Sequence, residues 1–341
     1  MTTDKTAIWA ITPNGVKLAG KMVTHLEKTD FYLQAKLNAP PENTGAISFD
    51  ELKPSIQRLF HRYHHHVFIF ATGIAVRVIA PLLESKLSDP SVTVVDDSGQ
   101  FSISLVSGHL GGGNEKAMDI ARIIGALPVI TTATDVNRLP AIDMIAKKTG
   151  VIIETPDLIK SVNMSILSGK KIILEDKGSH LTPYLNETFV TQVQNPKTIS
   201  VVCTDTDKKV PRGTMLLRPK TFSIGIGCNR DTSVEEIWDL IALVFRKNEL
   251  SVKSIRSIGT IDIKMNEKGI SEVKDKLKVR IDYYTKAQLN QVKGVVTPSA
   301  MAQKHTGAKS VCEAAAILSS LKGNLIIPKQ KSENVTLAVA R

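Results

Sequence analysis

The sequence predicts an α/β fold, with parallel or mixed sheets and helices on both faces. Three observations predict it. Residues 101–135 read as strand, glycine-rich turn, helix and strand. The same rhythm restarts near Leu217 and runs to the last residues. Between the two, residues 150–206 carry short strands separated by polar turns. These segments divide the chain into an N-terminal α/β domain at 1–140, a middle segment at 141–215 and a C-terminal α/β domain at 216–341. The N- and C-terminal lobes are thus joined by a small middle α/β segment.

Taken in order, residues 7–12 predict a first strand, 13–15 a turn and 16–26 a helix that places Leu18, Met22 and Leu26 on one face. A strand at 31–37 and a loop at 40–43 precede an amphipathic helix built on Ile56, Leu59, Phe60 and Tyr63. His64, His65 and His66 follow. Adjacent residues point about 100° apart on a helix and to opposite faces on a strand, so three in a row cannot meet one ion; a helix end or polar surface is expected instead. The apolar strand 67–71 opens through Thr72-Gly73 into a helix at 74–83 containing Arg77. First-turn N–H groups attract anions, and Arg77 is placed either to clamp a carboxylate or to serve as an ordinary helix arginine. A strand at 92–95 leads into the turn Asp96-Asp97-Ser98-Gly99, whose two aspartates either sit beside the binding edge or merely make a tight hairpin turn.

In the central stretch, the strand at 101–107 alternates apolar and polar residues. Gly108 to Gly113 interrupts it, and Asn114 is suited to cap the helix that follows. Gly125 suits the left-handed position ending that helix, Pro128 prevents re-entry, and 129–132 forms the next strand. The glycine turn and residues 131–135 are thereby expected at the carboxyl edge of one parallel sheet, where such folds bind ligands. A helix at 142–147 and strands at 151–154, 171–174 and 199–204 follow, with Asp176, Lys177 and His180 as loop residues. In the last domain a strand at 222–226 turns through Gly227, Cys228, Asn229 and Arg230, and Ser233 with Glu236 matches a capping box. Cys228, near a helix start, is either an activated thiol or a small packed side chain. Strands at 254–263, 278–283, 324–328 and 335–340 alternate with helices at 270–277 and 311–321.

Composition excludes several classes of function. Aromatic content of 5% is too low for stacked-base readers of nucleic acid. Lysine and arginine (44) outnumber aspartate and glutamate (33), and the resulting +11 steers anionic ligands inward without a basic tail that would mark DNA or RNA binding. Cys203, Cys228 and Cys312 show no metal-hook spacing, and an odd count suits a reducing compartment. With no run near the roughly 18–20 apolar residues needed to cross a bilayer and no signal core, the expected location is the cytoplasm, with no membrane partner. Dinucleotide, P-loop, nucleophile-elbow and CxxC motifs are missing from the sequence.

Several segments together resemble the cobalamin biosynthesis protein G family, the cobalt-precorrin-5A hydrolases of the anaerobic pathway. They are ATGIAVRVIAPLLESKLSDPSVTVVDDSGQ at 71–100, SGHLGGGNEKA at 107–117 and VITTATD at 129–135. The C-terminal half adds IGIGCNRDTSVEEI at 224–237, GAKSVCEAAAI at 307–317, and a terminal LAVAR. The chain departs from the family pattern at Gly113, where alanine is usual, and at Ala314, where proline is usual. The resemblance implies a hydrolase acting on a carbon–carbon bond. It opens the δ-lactone of cobalt-precorrin-5A and releases the C20 two-carbon unit as acetaldehyde, giving cobalt-precorrin-5B. Cobalt is carried in the substrate, so no cofactor and no resident metal are expected. The partner is a cobalt-bound polycarboxylate tetrapyrrole; a homodimer and transient contact with other corrin-pathway enzymes are compatible with it. On this basis His109 and Asp135 are the candidate bases, each set against a structural role, and Arg77 is a candidate oxyanion stabiliser. Gly73, Gly108, Gly111, Asn114, Thr131, Thr132, Gly227 and Cys228 are the candidate substrate-binding residues. The alternative is a tetrapyrrole carrier that binds without turnover.

Overall fold

A computed structural model describes every residue except 1–2, 39–44, 86–87, 110, 186 and 193–197; the loop expected at 40–43 therefore lies outside the described residues. The chain forms two compact units, Met1–Met144 and Ile145–Arg341.

The first unit is a seven-stranded sheet. Its strands are β1 (Thr3–Ala10), β2 (Thr29–Gln34), β3 (Ile47–Phe49), β4 (Tyr63–Ile69), β5 (Ser91–Val95), β6 (Phe101–Val106) and β7 (Leu127–Val129), in the order β3-β2-β1-β4-β5-β6-β7. All neighbours pair parallel except β5 and β6, which the Asp96–Gly99 turn joins as an antiparallel hairpin. Alternation along β1 explains the two-faced core. Ile8 and Ala10 pack with Val16, Ala19, Met22 and Ile120 from the helices Pro13–Val23 and Gly113–Ile124. Ala7 and Trp9 pack with Ile56, Ala75 and Val78 from the helices Leu52–Leu59 and Thr72–Ile79. Pro13 begins the first helix instead of forming a turn, because Thr12 accepts from the Gly15 N–H as N-cap and proline is pre-set for the first helical turn. The strand expected at 129–132 is displaced to β7. Pro128 is tolerated inside it because β7 is an edge strand.

The polar-surface expectation for the histidine run fails at His66. The run belongs to β4, and His66 is fully buried. Trp9 Nε1–H donates to its Nδ1 at 3.1 Å, so the proton sits on Nε2, which reaches the Phe60 carbonyl at 2.9 Å. Burial lowers its pKa to about 4, against the Phe60 hydrogen bond that raises it. As pH falls, the unfolded chain takes up this proton near the ordinary value of 6.5, before the folded chain does at about 4. Stability contributed above pH 6.5 is therefore lost between those values, by up to about 3 kcal/mol. Urea unfolding of wild type and His66→Gln at pH 7 and pH 4.5 should show a smaller loss in the variant.

The second unit holds two sheets. The first contains β8 (Ile152–Ile153), β9 (Ile173–Asp176), β10 (Ser200–Cys203) and β11 (Met215–Arg218), ordered β8-β11-β10-β9, with only β8 antiparallel. The second contains β12 (Phe222–Cys228), β13 (Ile255–Ile261), β14 (Arg280–Tyr284), β15 (Leu325–Lys331) and β16 (Val335–Ala340), ordered β14-β13-β12-β16-β15. Helices Val234–Lys247 and Lys268–Leu277 cover one face through Ile237, Ile241, Phe245 and Val273. The capping box expected at Ser233 is only half formed. Ser233 accepts from the Glu236 N–H, but the Glu236 carboxylate turns to Ser332 and Asn334.

The helix Cys312–Ser319, built of small residues, lies on the opposite face. Glu313 within it is fully buried and accepts from the backbone N–H groups of Val296 (2.7 Å), Thr297 (2.9 Å) and Lys329 (2.8 Å), and from the Thr297 hydroxyl (2.5 Å). Burial pushes this carboxyl up, yet these donors outweigh it and hold its pKa below the ordinary value. Glu313→Ala leaves three backbone N–H groups without an acceptor and is expected to cost about 3 kcal/mol or more, read as a lower urea midpoint. Glu313→Gln should recover only part, because its NH2 faces donors.

Candidate active site

The chemistry-bearing residues of the first unit gather beyond the carboxyl ends of β6 and β7. The turn after β6 passes through Ser107, held at φ 53°, and Gly112, at φ 77°, before the helix Gly113–Ile124 begins. Gly112 takes the N-cap position expected of Asn114, which frees the Asn114 side chain for another use. The Asn114 backbone N–H donates to Gly108 O at 2.9 Å, and its side chain lies against Gly108. A Cβ at 108 would overlap the Asn114 amide oxygen, so only glycine permits that orientation. At Gly111 a Cβ would come within 2.6 Å of the Ser107 carbonyl oxygen. Closure of the turn is thus one cause of the glycines.

From this position Asn114, which is 5% exposed, donates through Nδ2 to Thr132 Oγ1 at 3.0 Å and to Asp135 Oδ2 at 2.9 Å. Its own amide oxygen is buried and has no hydrogen-bond partner among the described residues. His109 Nε2 meets Asp135 Oδ2 at 2.7 Å and Thr134 Oγ1 at 3.0 Å. On the other side of the ring, Nδ1 lies 3.5 Å from Asp143 Oδ2. Asp135 is partly exposed, whereas Asp143 and Thr134 are buried. The Asp143 carboxylate, and then that of Asp135, hold the His109 pKa above its ordinary value against the burial that pushes it down. An imidazole flanked by two carboxylates and one hydroxyl can hold or move a proton at Nε2. Thr131 is exposed.

Not every residue singled out in the sequence joins this group. β5 and β6 are antiparallel, with Val92 opposite Val106 and Val95 opposite Ser102. The carboxyl end of β6 therefore lies at the end of the sheet where β4 and β5 begin. Gly73 and Arg77 follow the carboxyl end of β4, at the other end. Three residues from Val92 to Val95 already separate the two ends by ~10 Å at about 3.3 Å per residue, and both segments run on beyond their strands. Arg77 Nη1 instead donates to Gly73 O of its own helix at 3.1 Å. The glycine turn and residues 131–135 follow the ends of the parallel pair β6 and β7, as expected, while the β5–β6 hairpin puts Gly73 and Arg77 at the other end of the sheet. Gly227 and Cys228 close β12 in the second unit; burial raises the half-buried Cys228 thiol above its ordinary pKa, so it is protonated at neutral pH.

Thr134 and Asp143 went unremarked in the sequence. The signal was present for Asp143: a single acid within the apolar run Ala141-Ile142-Asp143-Met144-Ile145-Ala146. Apart from this group, the second unit contains a cleft of about 540 Å³ whose lining includes Lys177, His180, Cys203, Lys208, Lys322 and Arg341. None of the sequence-predicted site residues lines it. Among the described residues no group of three or more His, Cys, Asp or Glu is arranged to hold a metal ion, and no helix is long and apolar enough to cross a membrane.

Three family models match in succession: cobalamin synthesis G N-terminal over residues 55–135, cobalamin biosynthesis central region over 140–219, and cobalamin synthesis G C-terminus over 222–340. A cobalt-precorrin-5A hydrolase of Priestia megaterium is 33% identical over 98% of this chain and 94% of its own length. The chain belongs to the cobalamin biosynthesis G family. Another member, cobalt-precorrin-5A hydrolase of Salmonella typhimurium, is 32% identical over 98% of this chain and 97% of its own. A probable cobalt-precorrin-5A hydrolase of Methanocaldococcus jannaschii is 29% identical over 80% of this chain and 84% of its own. The glycine turn with His109 and the Thr131–Asp135 stretch fall within the N-terminal family match, and Asp143 falls at the start of the central one.

Proposed function

We propose that this chain hydrolyses cobalt-precorrin-5A at the His109 group, opening its δ-lactone and releasing acetaldehyde to give cobalt-precorrin-5B. The observation that carries the proposal is the 2.7 Å contact between His109 and the partly exposed Asp135, in a chain related end to end to enzymes of that name.

In the first step His109, with Asp135 beside Nε2, takes a proton from water as its oxygen adds to the lactone carbonyl carbon. Hydroxyls of Thr131 and Thr132 are the candidate donors for the developing oxyanion, since the N–H groups of Gly112, Gly113 and Asn114 are already bonded within the turn. Collapse breaks the lactone C–O bond, leaving a carboxylate on ring A and a hydroxyl on the two-carbon unit, with the other water proton on His109. In the second step that hydroxyl gives its proton to solvent and the bond to the macrocycle breaks. The carbonyl of acetaldehyde forms, and the bonding electron pair passes into the ring system, where a proton is taken up. His109, protonated after the first step, supplies that proton in this scheme.

Cobalt enters and leaves inside the substrate, and the proposal includes no resident cofactor. A net charge of +11 favours capture of a ring fringed with carboxylates. A cytoplasmic location fits three free cysteines; a homodimer and transient hand-over to neighbouring enzymes complete the proposal. Incubating the purified chain with cobalt-precorrin-5A tests it. Catalytic release of one acetaldehyde per substrate is expected, and stoichiometric binding without acetaldehyde contradicts it in favour of a carrier.

A further inference from the structure

The cleft in the second unit has no part in the proposed chemistry, yet it stands where a sheet of this kind takes a ligand. β9, β10 and β11 pair parallel, and the cleft lies beyond their carboxyl ends. Lys177 and Gly178 enter it directly after β9, Thr204 and Asp205 after β10, and Pro219 after β11. Open α/β sheets bind ligands at this edge. Leu321 and Lys322, which follow the helix Cys312–Ser319, and Arg341, which follows β16, complete the wall. At about 540 Å³ the cleft has the size of a site for a small organic molecule.

Its walls are held in place by their own hydrogen bonds. Asp176 accepts from the backbone N–H groups of His180 (3.1 Å), Leu181 (2.7 Å) and Thr182 (2.9 Å) and from the Thr182 hydroxyl (3.0 Å), which fixes the loop carrying Lys177 and His180. Asp205 accepts from the Thr221 hydroxyl at 2.8 Å and pairs with Arg341. Glu175 takes Lys208 with both oxygens, at 2.9 and 2.8 Å. Both acids among the described lining residues are thus matched by a cation. Lys177 and Lys322 are left over. Each is exposed, and neither side chain has an ion pair or hydrogen bond among the described residues. Two unmatched ammonium groups therefore line one preformed concavity, which favours an anionic occupant.

We propose that this cleft binds a small polycarboxylate: a short carbon body with two or more carboxylates, which Lys177 and Lys322 neutralise while Pro219 and Leu321 pack on the apolar part. Phosphate is the poorer match. Phosphate sites draw on helix N-termini or a free guanidinium. No helix begins among the lining residues, and Arg341 is committed to Asp205. Lysine ammonium groups are point charges, and beside apolar walls they suit carboxylates carried on carbon. The proposal does not rest on the hydrolase reading, because the cleft shares no residue with the His109 group.

Calorimetric titration of the full chain with citrate at low ionic strength tests it. One saturable site per chain with a Kd below about 1 mM is expected, weakening as NaCl is added because both lysines are exposed. Lys177→Gln and Lys322→Gln should each weaken citrate binding by at least about threefold, and the double variant by at least about tenfold. Lys268→Gln, at a lysine 90% exposed and outside the cleft, should leave Kd unchanged. The replaced side chains are exposed, so the variants are expected to keep the wild-type thermal unfolding midpoint. Absence of saturable citrate binding overturns the proposal. Binding that survives intact in the folded double variant does so too, since it would place citrate elsewhere, the His109 group included. Inorganic pyrophosphate, of similar charge at pH 7, is the comparison ligand; if it binds more tightly than citrate and displaces it, the carboxylate assignment falls in favour of phosphate.

Discussion

His109→Ala is expected to slow acetaldehyde release at saturating cobalt-precorrin-5A by about 10²- to 10⁴-fold, the span attributed to a positioned acid–base group. KM should stay within about threefold, since the ring is asked to act in the transition state and not in ground-state binding. The direction follows from geometry: Nε2 is the nitrogen beside Asp135 and Thr134, and alanine removes both the proton acceptor and the later donor. His109 is only partly exposed and shares hydrogen bonds with the turn's neighbours, so thermal unfolding of the variant should be recorded alongside. A folded variant with unchanged kcat at every pH removes His109 as acid or base. In the wild type the limb requiring the neutral ring should lie above the ordinary histidine range, because Asp143 and Asp135 favour the charged form.

Gly225→Ala is expected to have the largest effect on stability. Gly225 lies mid-strand in β12, directly under the helix Cys312–Ser319. A Cβ there would overlap the Cys312 carbonyl oxygen and stand 2.7 Å from the Ala316 backbone nitrogen. Both are backbone atoms, so no side-chain rotation relieves the clash, and the helix must lift from the sheet. The same helix rests on Gly259, where a Cβ would come within 2.5 Å of Ala315 O. Lifting it also disturbs Glu313 and the three backbone N–H groups that it holds. The cost should be about 3 kcal/mol or more, seen as a large drop in urea midpoint or as failure to accumulate folded protein. A midpoint within experimental scatter of wild type would contradict the close packing.

Much of this architecture was legible from local pattern. Alternation marked β6, Gly125 marked a left-handed helix end, and Asp96-Asp97-Ser98-Gly99 marked a turn. What local pattern could not supply was direction between strands. The hairpin at Asp96–Gly99 makes β6 run against β5, and this one reversal separates Arg77 from His109 although both sit after strand ends. Burial was similarly hidden. His66 looks like its two neighbours in a row of three, yet alternation along β4 turns it into the core beside Trp9 and Phe60. At the site, His109 and Asn114 were visible because glycines frame them, and Asp135 because it ends the segment VITTATD. Asp143 was not, because its partner lies 34 residues earlier in sequence (143 − 109) and joins it only through the fold. Gly225, read only as part of the strand 222–226, admits a helix backbone, a tertiary reason that a single strand does not reveal.

The most direct test of where the reaction occurs is a single-turnover measurement of acetaldehyde release with enzyme in excess, comparing Asp135→Asn with Arg77→Ala. Asp135 touches His109, whereas Arg77 lies at the other end of the same sheet and bonds to its own helix. The predicted result is a rate for Arg77→Ala within about threefold of wild type and a fall of at least about 10-fold for Asp135→Asn. The reverse pattern, with the chemical step lost in Arg77→Ala and kept in Asp135→Asn, would contradict placement of the chemistry at the His109 turn.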